Sequence, residues 1–331
     1  GGGVIGVAAI FIPGLEKIVS KLFGTTTNVV DQGVRLLSAS FGDIQNIGLT
    51  AQSYADVQTK KKFLGINYSD KTKTQTSELP DEISNQFSLV IRSMGDSINT
   101  AADMLGLGGD DFRNKLNAFV VDIGDVSIKG LTGEEIEEQF QAVFSKVGDD
   151  MAKYALAGLD EFQQIGEGYL ETLTRVANEL IQVQDVFAVM GKTLDRTGLD
   201  AIKFSQEMVK AAGGIEALTS NTQAFVDSFM TESEKIAPIA KSLQAALTEL
   251  GLSASMNGEQ YKALVIASLD GSYANAELYT SLVKLAPAMA KVQAAEDERL
   301  KSSLNLQMQI ADLTNNGAES MRLTTRLREM E

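Results

Sequence analysis

The chain contains no cysteine, no histidine and no tryptophan, and only 4 of its 331 residues are proline. Without cysteine there is no disulfide, no thiol nucleophile and no thiolate metal ligand. Without histidine there is no Ser-His-Asp triad, no imidazole ligand for zinc and no side chain whose ordinary pKa lies near neutrality. Most hydrolytic chemistry is excluded with them, and no cofactor or metal site is expected. Basic residues are also short: 29 Lys and Arg stand against 44 Asp and Glu, a net charge of -15. Binding to a nucleic-acid duplex depends on cations that displace counterions from phosphates, so sequence-specific DNA binding is not expected.

What is present suffices for a packed core. Hydrophobic residues make up 44% and charged residues 22%, which excludes wholesale disorder, and the length allows two domains or one large one. The sequence begins Gly1-Gly2-Gly3 rather than with Met, and it stops at Arg326-Leu327-Arg328-Glu329-Met330-Glu331 within a helical pattern. It therefore reads as a fragment of a longer polypeptide.

Residues 1–24 form an apolar and amphipathic segment. Val4, Ile5, Ile10, Phe11 and Ile12 belong to a run of nine uncharged residues, 4–12, that Pro13-Gly14 ends. Leu15, Ile18, Val19, Leu22 and Phe23 then recur at helical spacing, with Glu16, Lys17 and Lys21 opposite. A bilayer span takes about 20 apolar residues, so the run is too short to cross one. These ten positions are candidates for lying in a membrane interface. Burial in a core or at a self-association contact is the plainer reading of so short a run.

From residue 25 to 131 the sequence predicts a small α+β module. Thr25-Thr26-Thr27, Val29-Val30, Tyr54 to Thr59 and Lys71 to Thr76 are Thr-rich and partly alternating, as strands are. Lys60-Lys61-Lys62 suits a solvated turn or a guarded strand edge. Ile83, Phe87, Val90 or Ile91, Met94 and Ile98 predict a helix running out at Gly106-Leu107-Gly108-Gly109. A hairpin is expected over residues 119–128, where Phe119, Val121, Ile123, Val126 and Ile128 alternate around a Gly124-Asp125 turn.

Beyond residue 131 the periodicity is helical. Thr132-Gly133-Glu134-Glu135 is a capping box, followed by Ile136, Phe140, Val143/Phe144, Val147, Met151 and Tyr154 on one face. Leu170, Leu173, Val176/Ala177 and Leu180 form a second stripe, and further helix starts are read at Thr197, Ser220 and Asn257. Ile236, Ile239, Leu243, Leu247 and Leu250 form another, with its start near Ile236 because Pro238 fits a first turn. Leu278, Leu282, Leu285, Met289 and Val292 have near-heptad spacing, a candidate self-association stripe. Residues 132–293 are thus a helical domain, and residues 294–331 a charged helical hairpin joined at Asn315-Asn316-Gly317. The expected fold class is mainly α with a small β-rich module: an elongated helical body with amphipathic helices and a helical-hairpin C-terminal end.

Three motifs fail their context. Gly1-x-Gly3-x-x-Gly6 matches a dinucleotide fingerprint, but no strand precedes it and Pro13-Gly14 cuts off the helix that should follow. Gly191-Lys192-Thr193 resembles the end of a phosphate-binding loop, yet the required first glycine is Val186. Asp110-Asp111 and Asp149-Asp150 lack the alternating spacing of a calcium loop, and helix starts and turns account for them. Glu161, Glu167 and Glu171 raise the question of paired carboxylates acting on a glycan, but nothing in their spacing marks an acid and a base rather than solvated helix faces.

Five segments, in order, resemble the C-terminal region of tail tape measure proteins from long-tailed bacteriophages and prophages. They are Tyr54 to Lys62, Ile128 to Ile136, Asp160 to Leu173 with its Glu167-Gly168-Tyr169, Phe225 to Glu234, and Leu282 to Ala288. Each is unspecific alone, and together they cover most of residues 25–295. The resemblance implies a non-enzymatic virion protein that fills the tail tube in a few copies, sets its length, sits at the tail tip and aids DNA across the host envelope. It implies tail tube and tail tip (baseplate hub) proteins as partners, self-association as trimers, and contact with the host inner membrane. It carries no catalytic residue over. An acidic surface suits a conduit to which DNA must not adhere. A β-rich block before residue 131 departs from a continuous helical ruler and fits docking better than measuring. Two other classes share parts of this pattern: a secreted, membrane-active or pore-forming helical protein, and a tail-associated muralytic enzyme.

Overall fold

The computed structural model describes residues 29–63, 66–269, 273–314 and 316–330. Helix accounts for 69% and strand for 11%, and every described strand lies before residue 128, so the chain is mainly helical with a small antiparallel β module. The described residues fall into two compact units, one running to Val183 and including Asp195–Ile215, the other comprising Gln184–Leu194 and the residues from Glu216.

In the first unit, β1 (Val29–Leu36), β3 (Ala51–Phe63), β4 (Ile66–Glu78) and β6 (Gly124–Ser127) form an antiparallel sheet ordered β4-β3-β1-β6. The period-2 alternation gives it two unlike faces. Val34, Leu36, Ala51, Ser53 and Ala55 share the buried face. Gly33 sits on the other, where Tyr54 lies over it: a Cβ there would come within 2.0 Å of the Val126 carbonyl oxygen and 2.8 Å of the Tyr54 ring. Only glycine lets β6 and the tyrosine approach β1 together.

Short α1 (Phe41–Asn46) is clamped onto α2 (Asp81–Met104). Arg92 donates two hydrogen bonds, 2.9 and 2.7 Å, to the Ile44 carbonyl near the end of α1, and the Phe41 ring occupies the space a side chain at Gly95 would need. Ser88, buried in α2, accepts from the Leu49 amide and donates to the Ser84 carbonyl. The predicted stripe of α2 is the buried one, Ile83, Phe87, Ile91, Met94 and Ile98. α3 (Asp110–Ala118) begins at the acidic pair, as expected. α4 (Gly133–Ala155) starts at the Thr132/Glu135 capping box and packs on α2 through Phe87, Phe140 and Phe144, whose ring centroids lie 5.3–6.2 Å apart. The boundary drawn at residue 131 therefore falls inside this unit. Tyr154, expected on the α4 stripe, is exposed and tilts against Phe119.

The expected hairpin over residues 119–128 does not form. β5 (Val120–Val121) pairs with β2 (Ala39–Ser40), while β6 pairs with β1, so the two strands belong to different sheets. Gly124 does take a positive φ of 70°, but as the first residue of β6. Its neighbour Asp125 is drawn to β1 by a bidentate ion pair with Arg35, a partner 90 residues away. α5 (Tyr169–Val189) buries the predicted Leu170, Leu173, Val176, Ala177 and Leu180, and α6 (Gly198–Ala212) follows Thr197.

In the second unit, α7 (Ile215–Phe229) starts five residues before Ser220, which lies within the helix. Gly213 ends α6 in a left-handed conformation and Gly214 follows at φ 126°, so the chain restarts at once. α8 (Glu232–Glu249) likewise starts earlier than Ile236. Thr231 and Glu234 form a capping box that sets the first turn, and Pro238 is accommodated inside the helix. α9 (Gly258–Ala267) has the expected Asn257/Gln260 capping box. α10 (Tyr273–Leu313) and α11 (Gly317–Arg328) pack together through Leu304, Ala311 and Leu323. Among the described residues no helix is long and apolar enough to cross a membrane.

Candidate functional site

A group of paired charges in the first unit gathers at the start of α5. Arg175 reaches back one turn and more to Glu167, with Nε 2.7 Å from Oε1 and Nη2 3.0 Å from Oε2, and its Nη2 also donates to the Phe162 carbonyl at 2.6 Å. On its other side Nη1 meets Glu179 at 3.2 Å and Gln206 of α6 at 3.3 Å, and Gln206 in turn donates to Glu179. Glu167 accepts further from the Gln164 amide at 3.0 Å and the Thr172 hydroxyl at 2.9 Å. The Arg175 guanidinium, against opposing burial, holds the Glu167 carboxyl below the usual range, and Glu167 raises Arg175. A carboxylate with both oxygens taken by four donors is a fixed anion, unsuited to giving or accepting a proton at neutral pH. Glu161 and Glu171 are exposed and stand apart from it.

The same stretch is pinned at two further points. The buried Tyr169 hydroxyl donates to the Leu156 carbonyl at 2.6 Å and accepts from the Leu159 amide at 3.0 Å. Asp149, in the middle of α4 rather than at a turn, accepts from the Leu170 amide at 2.8 Å and so caps α5. Glu167-Gly168-Tyr169 is thus a clamp holding the α4–α5 connection. Sequence reasoning noticed Glu167 but not Arg175, whose i−8 and i+4 spacing to the two glutamates was the available signal.

A second polar group lies on the other face of the sheet, where Tyr54 is itself buried. Asp31 accepts from the Tyr54 hydroxyl at 2.8 Å and the Ser127 hydroxyl at 2.5 Å, and Arg35 spans Asp125 and the Tyr54 ring, 5.7 Å from its centroid. Burial pushes the Asp31 carboxyl up, but the Ser127, Tyr54 and Gln32 hydrogen bonds and Lys129 outweigh it and leave the group lowered. Burial, then the bond to Asp31, pushes the Tyr54 phenol up, so it stays protonated as the donor. Between α1, α2 and α3 a cleft of about 160 Å³ is lined by Gln45, Asp96, Asn99, Arg113 and Asn117, and the buried Asn99 Oδ1 has no partner among the described residues. Among the described residues no group of three or more acidic side chains is placed to hold a metal.

The candidate self-association stripe is occupied from within. Leu282 and Met289 are buried against Leu243 and Leu247 of α8 and Tyr261 of α9, with Leu278, Leu285 and Val292 packed at the margin. The Tyr261 hydroxyl donates to the Leu282 carbonyl, and the Gly258 amide to Gln293 at 2.9 Å, locking α9 to α10. The sequence reading missed a different row. Leu306, Ile310 and Leu313 are 59, 53 and 85% exposed at i, i+4, i+7 spacing, on the side of α10 away from Leu304 and Ala311. Val4, Ile5, Ile10, Phe11, Ile12, Leu15, Ile18, Val19, Leu22 and Phe23 lie outside the described residues. No family model, no curated protein and no solved structure matches the chain.

Proposed function

We propose that this chain is a structural, non-enzymatic protein of a bacteriophage tail, of the tape measure kind. The observation that carries the reading is the ordered run of five resembling segments between residues 54 and 288, on a chain that is mainly helical. Its most suspect carboxylate, Glu167, is committed to a structural clamp, which favours a scaffold over a muralytic enzyme. The -15 charge suits a protein sharing a tube with DNA, which an acidic surface repels. In this reading the helices form an elongated body in the tail lumen, the β module docks near the tip on tail tube and baseplate hub proteins, and residues 294–331 turn back as a helical hairpin. Copies associate, as trimers, and the exposed Leu306, Ile310 and Leu313 row is an open surface for that contact. The protein is made in the host cytoplasm, and on ejection residues 4–23 meet the host periplasm and inner membrane.

The test is genetic and morphological. Purified tails from the parent phage or prophage are probed for this chain by mass spectrometry and by antibody labelling in the electron microscope. The chain is expected in the particles with label at one tail end, and deleting its coding segment is expected to leave no complete tails. Its absence from particles, or normal tails after deletion, overturns the reading.

A further inference from the structure

Asparagine followed by glycine occurs twice in the chain, at Asn257-Gly258 and at Asn316-Gly317. This dipeptide carries a chemistry of its own, because glycine has no Cβ to shield its amide nitrogen from the neighbouring side-chain carbonyl carbon. The two copies occupy the same place in their helices. Asn257 is the N-cap of α9 and Asn316 the N-cap of α11. In each, the asparagine main-chain carbonyl accepts from the amide four residues on, Tyr261 at 2.9 Å and Ser320 at 3.1 Å. A difference in reactivity between them therefore comes from what surrounds them.

The surroundings differ at both partners of the peptide. The Asn257 side chain accepts from the Gln260 amide at 2.9 Å, and the Asn257 amide donates in return to Gln260 Oε1 at 3.1 Å, a closed capping box. The Asn316 side chain accepts from the Glu319 amide at 3.4 Å, and Glu319 turns its carboxylate to Arg322 at 3.7 Å instead of closing the box. The Gly258 amide, an orphan donor of a first helical turn, donates to Gln293 Oε1 of α10 at 2.9 Å, and a Cβ on Gly258 would meet that same side chain. The Gly317 amide makes no hydrogen bond among the described residues, and nothing lies within 4 Å of where its Cβ would be. Attack requires the glycine amide to turn toward the asparagine side chain. That turn is held back at residue 258 and unrestrained at residue 317.

We propose that Asn316-Gly317 is a self-modifying site that slowly loosens the α10–α11 hairpin, while Gln293 and Gln260 protect Asn257-Gly258 from the same reaction. The Gly317 amide nitrogen gives its proton to solvent and attacks Asn316 Cγ. The new C–N bond closes a five-membered imide, the Cγ–Nδ2 bond breaks, and Nδ2 takes up a proton and leaves as ammonia. Water then opens the imide at one of its two carbonyls. Opening at Cγ gives aspartate, which still caps α11 and puts a negative charge at the favourable end of its dipole. Opening at the main-chain carbonyl gives isoaspartate. The chain then runs on through Cγ, one carbon longer, with a carboxylate where the carbonyl bonded to Ser320 stood. α11 has 12 residues, marginal for an isolated helix, and is held on α10 through Leu304, Ala311 and Leu323. Disturbing its first turn weakens its hold on that seam. The reaction needs only water, and it is independent of whether the chain belongs to a tail.

The experiment ages the full chain in warm, mildly alkaline buffer, where the amide proton is lost more readily, and follows its peptides by mass spectrometry, with aspartate and isoaspartate forms separated by elution. Native Asn316 is expected to convert about tenfold faster than Asn257, the order that one or two net hydrogen bonds of restraint represent. In concentrated urea the two should convert at one rate. Gln293→Ala is expected to bring Asn257 up toward Asn316, and Gln293→Glu, which keeps an acceptor, to leave it slow. Gly317→Ala, for whose Cβ there is open space, should stop conversion at Asn316. Trypsin, cutting at Arg322 and Arg326, should release pieces of α11 faster from aged than from fresh wild type, and no faster from aged than from fresh Gly317→Ala. Circular dichroism melting accompanies every variant; where Gln293→Ala melts below the incubation temperature, the native and urea rates of wild type decide instead. Equal native rates at the two sites, a difference that persists in urea, or aged wild type cut no faster than fresh overturns the proposal.

Discussion

Arg175 holds two carboxylates, a backbone carbonyl and a glutamine side chain, and at 18% side-chain exposure it cannot lose those partners to water without cost. Removing one member of a largely buried pair leaves the other charge uncompensated, which costs more than the pair itself contributes. Glu167→Gln is therefore expected to destabilise the first unit by about 3 kcal/mol at neutral pH, measured by urea unfolding. The pH dependence follows from the sign of the shift. The folded carboxyl titrates below its ordinary 4.5, so its contribution is complete above that value and is lost as pH falls through the lower folded value. Wild type should lose stability on acidification through this window, and Glu167→Gln should lose correspondingly less. A Glu167→Gln protein as stable as wild type at pH 7, with the same acid profile, would show that the clamp contributes nothing.

At the scale of elements, Leu282 shows what a stripe in a sequence decides and what it leaves open. Near-heptad spacing states that one face of a helix is buried, not by what. In the structure the cover comes from α8 and α9 of the same chain, so Leu282→Ala should open a cavity and cost about 3 kcal/mol of stability without changing the oligomeric state seen by light scattering. Dissociation with unchanged stability would return the stripe to an interface role. Features carried by neighbouring residues were legible: the Thr132 and Asn257 capping boxes, the Ile83 to Ile98 stripe, the break at Asn316-Gly317. Features whose cause lies far along the chain were not. Gly124-Asp125 looks like a hairpin turn locally, and only Arg35 and β1, some 90 residues earlier, direct it elsewhere. Pro238 suggests a first turn until the Thr231–Glu234 box is set against it, and the hydrogen bonds of that box outweigh one missing amide donor. The Glu167 clamp combines both cases, since its carboxylate was visible in the sequence and the arginine that fixes its role was not singled out.

For the whole molecule, the proposed contact with a membrane sets a net charge of -15 against a surface that is also anionic. Repulsion of the acidic body opposes every contact, so any attachment has to come from a local segment strong enough to outweigh it. Residues 4–23 have the composition for this: a nine-residue uncharged run, the Pro13-Gly14 break, then Leu15, Ile18, Val19, Leu22 and Phe23 with Lys17 and Lys21 opposite. Burying the apolar side of the second stretch in an interface is favourable by several kcal/mol at about 25 cal/mol per Å². The two lysines add about 1 kcal/mol each beside anionic lipid, a part that falls with salt. The apolar part does not fall with salt, and salt also screens the repulsion of the body, so the two electrostatic effects oppose each other. The full chain is therefore expected to co-sediment with anionic liposomes and to release an entrapped dye, with only a shallow dependence on ionic strength. A version lacking residues 1–24 should do neither at any salt concentration, because only repulsion remains. If the two versions behave alike, these residues have no part at the membrane, and burial within the protein is the use left for them.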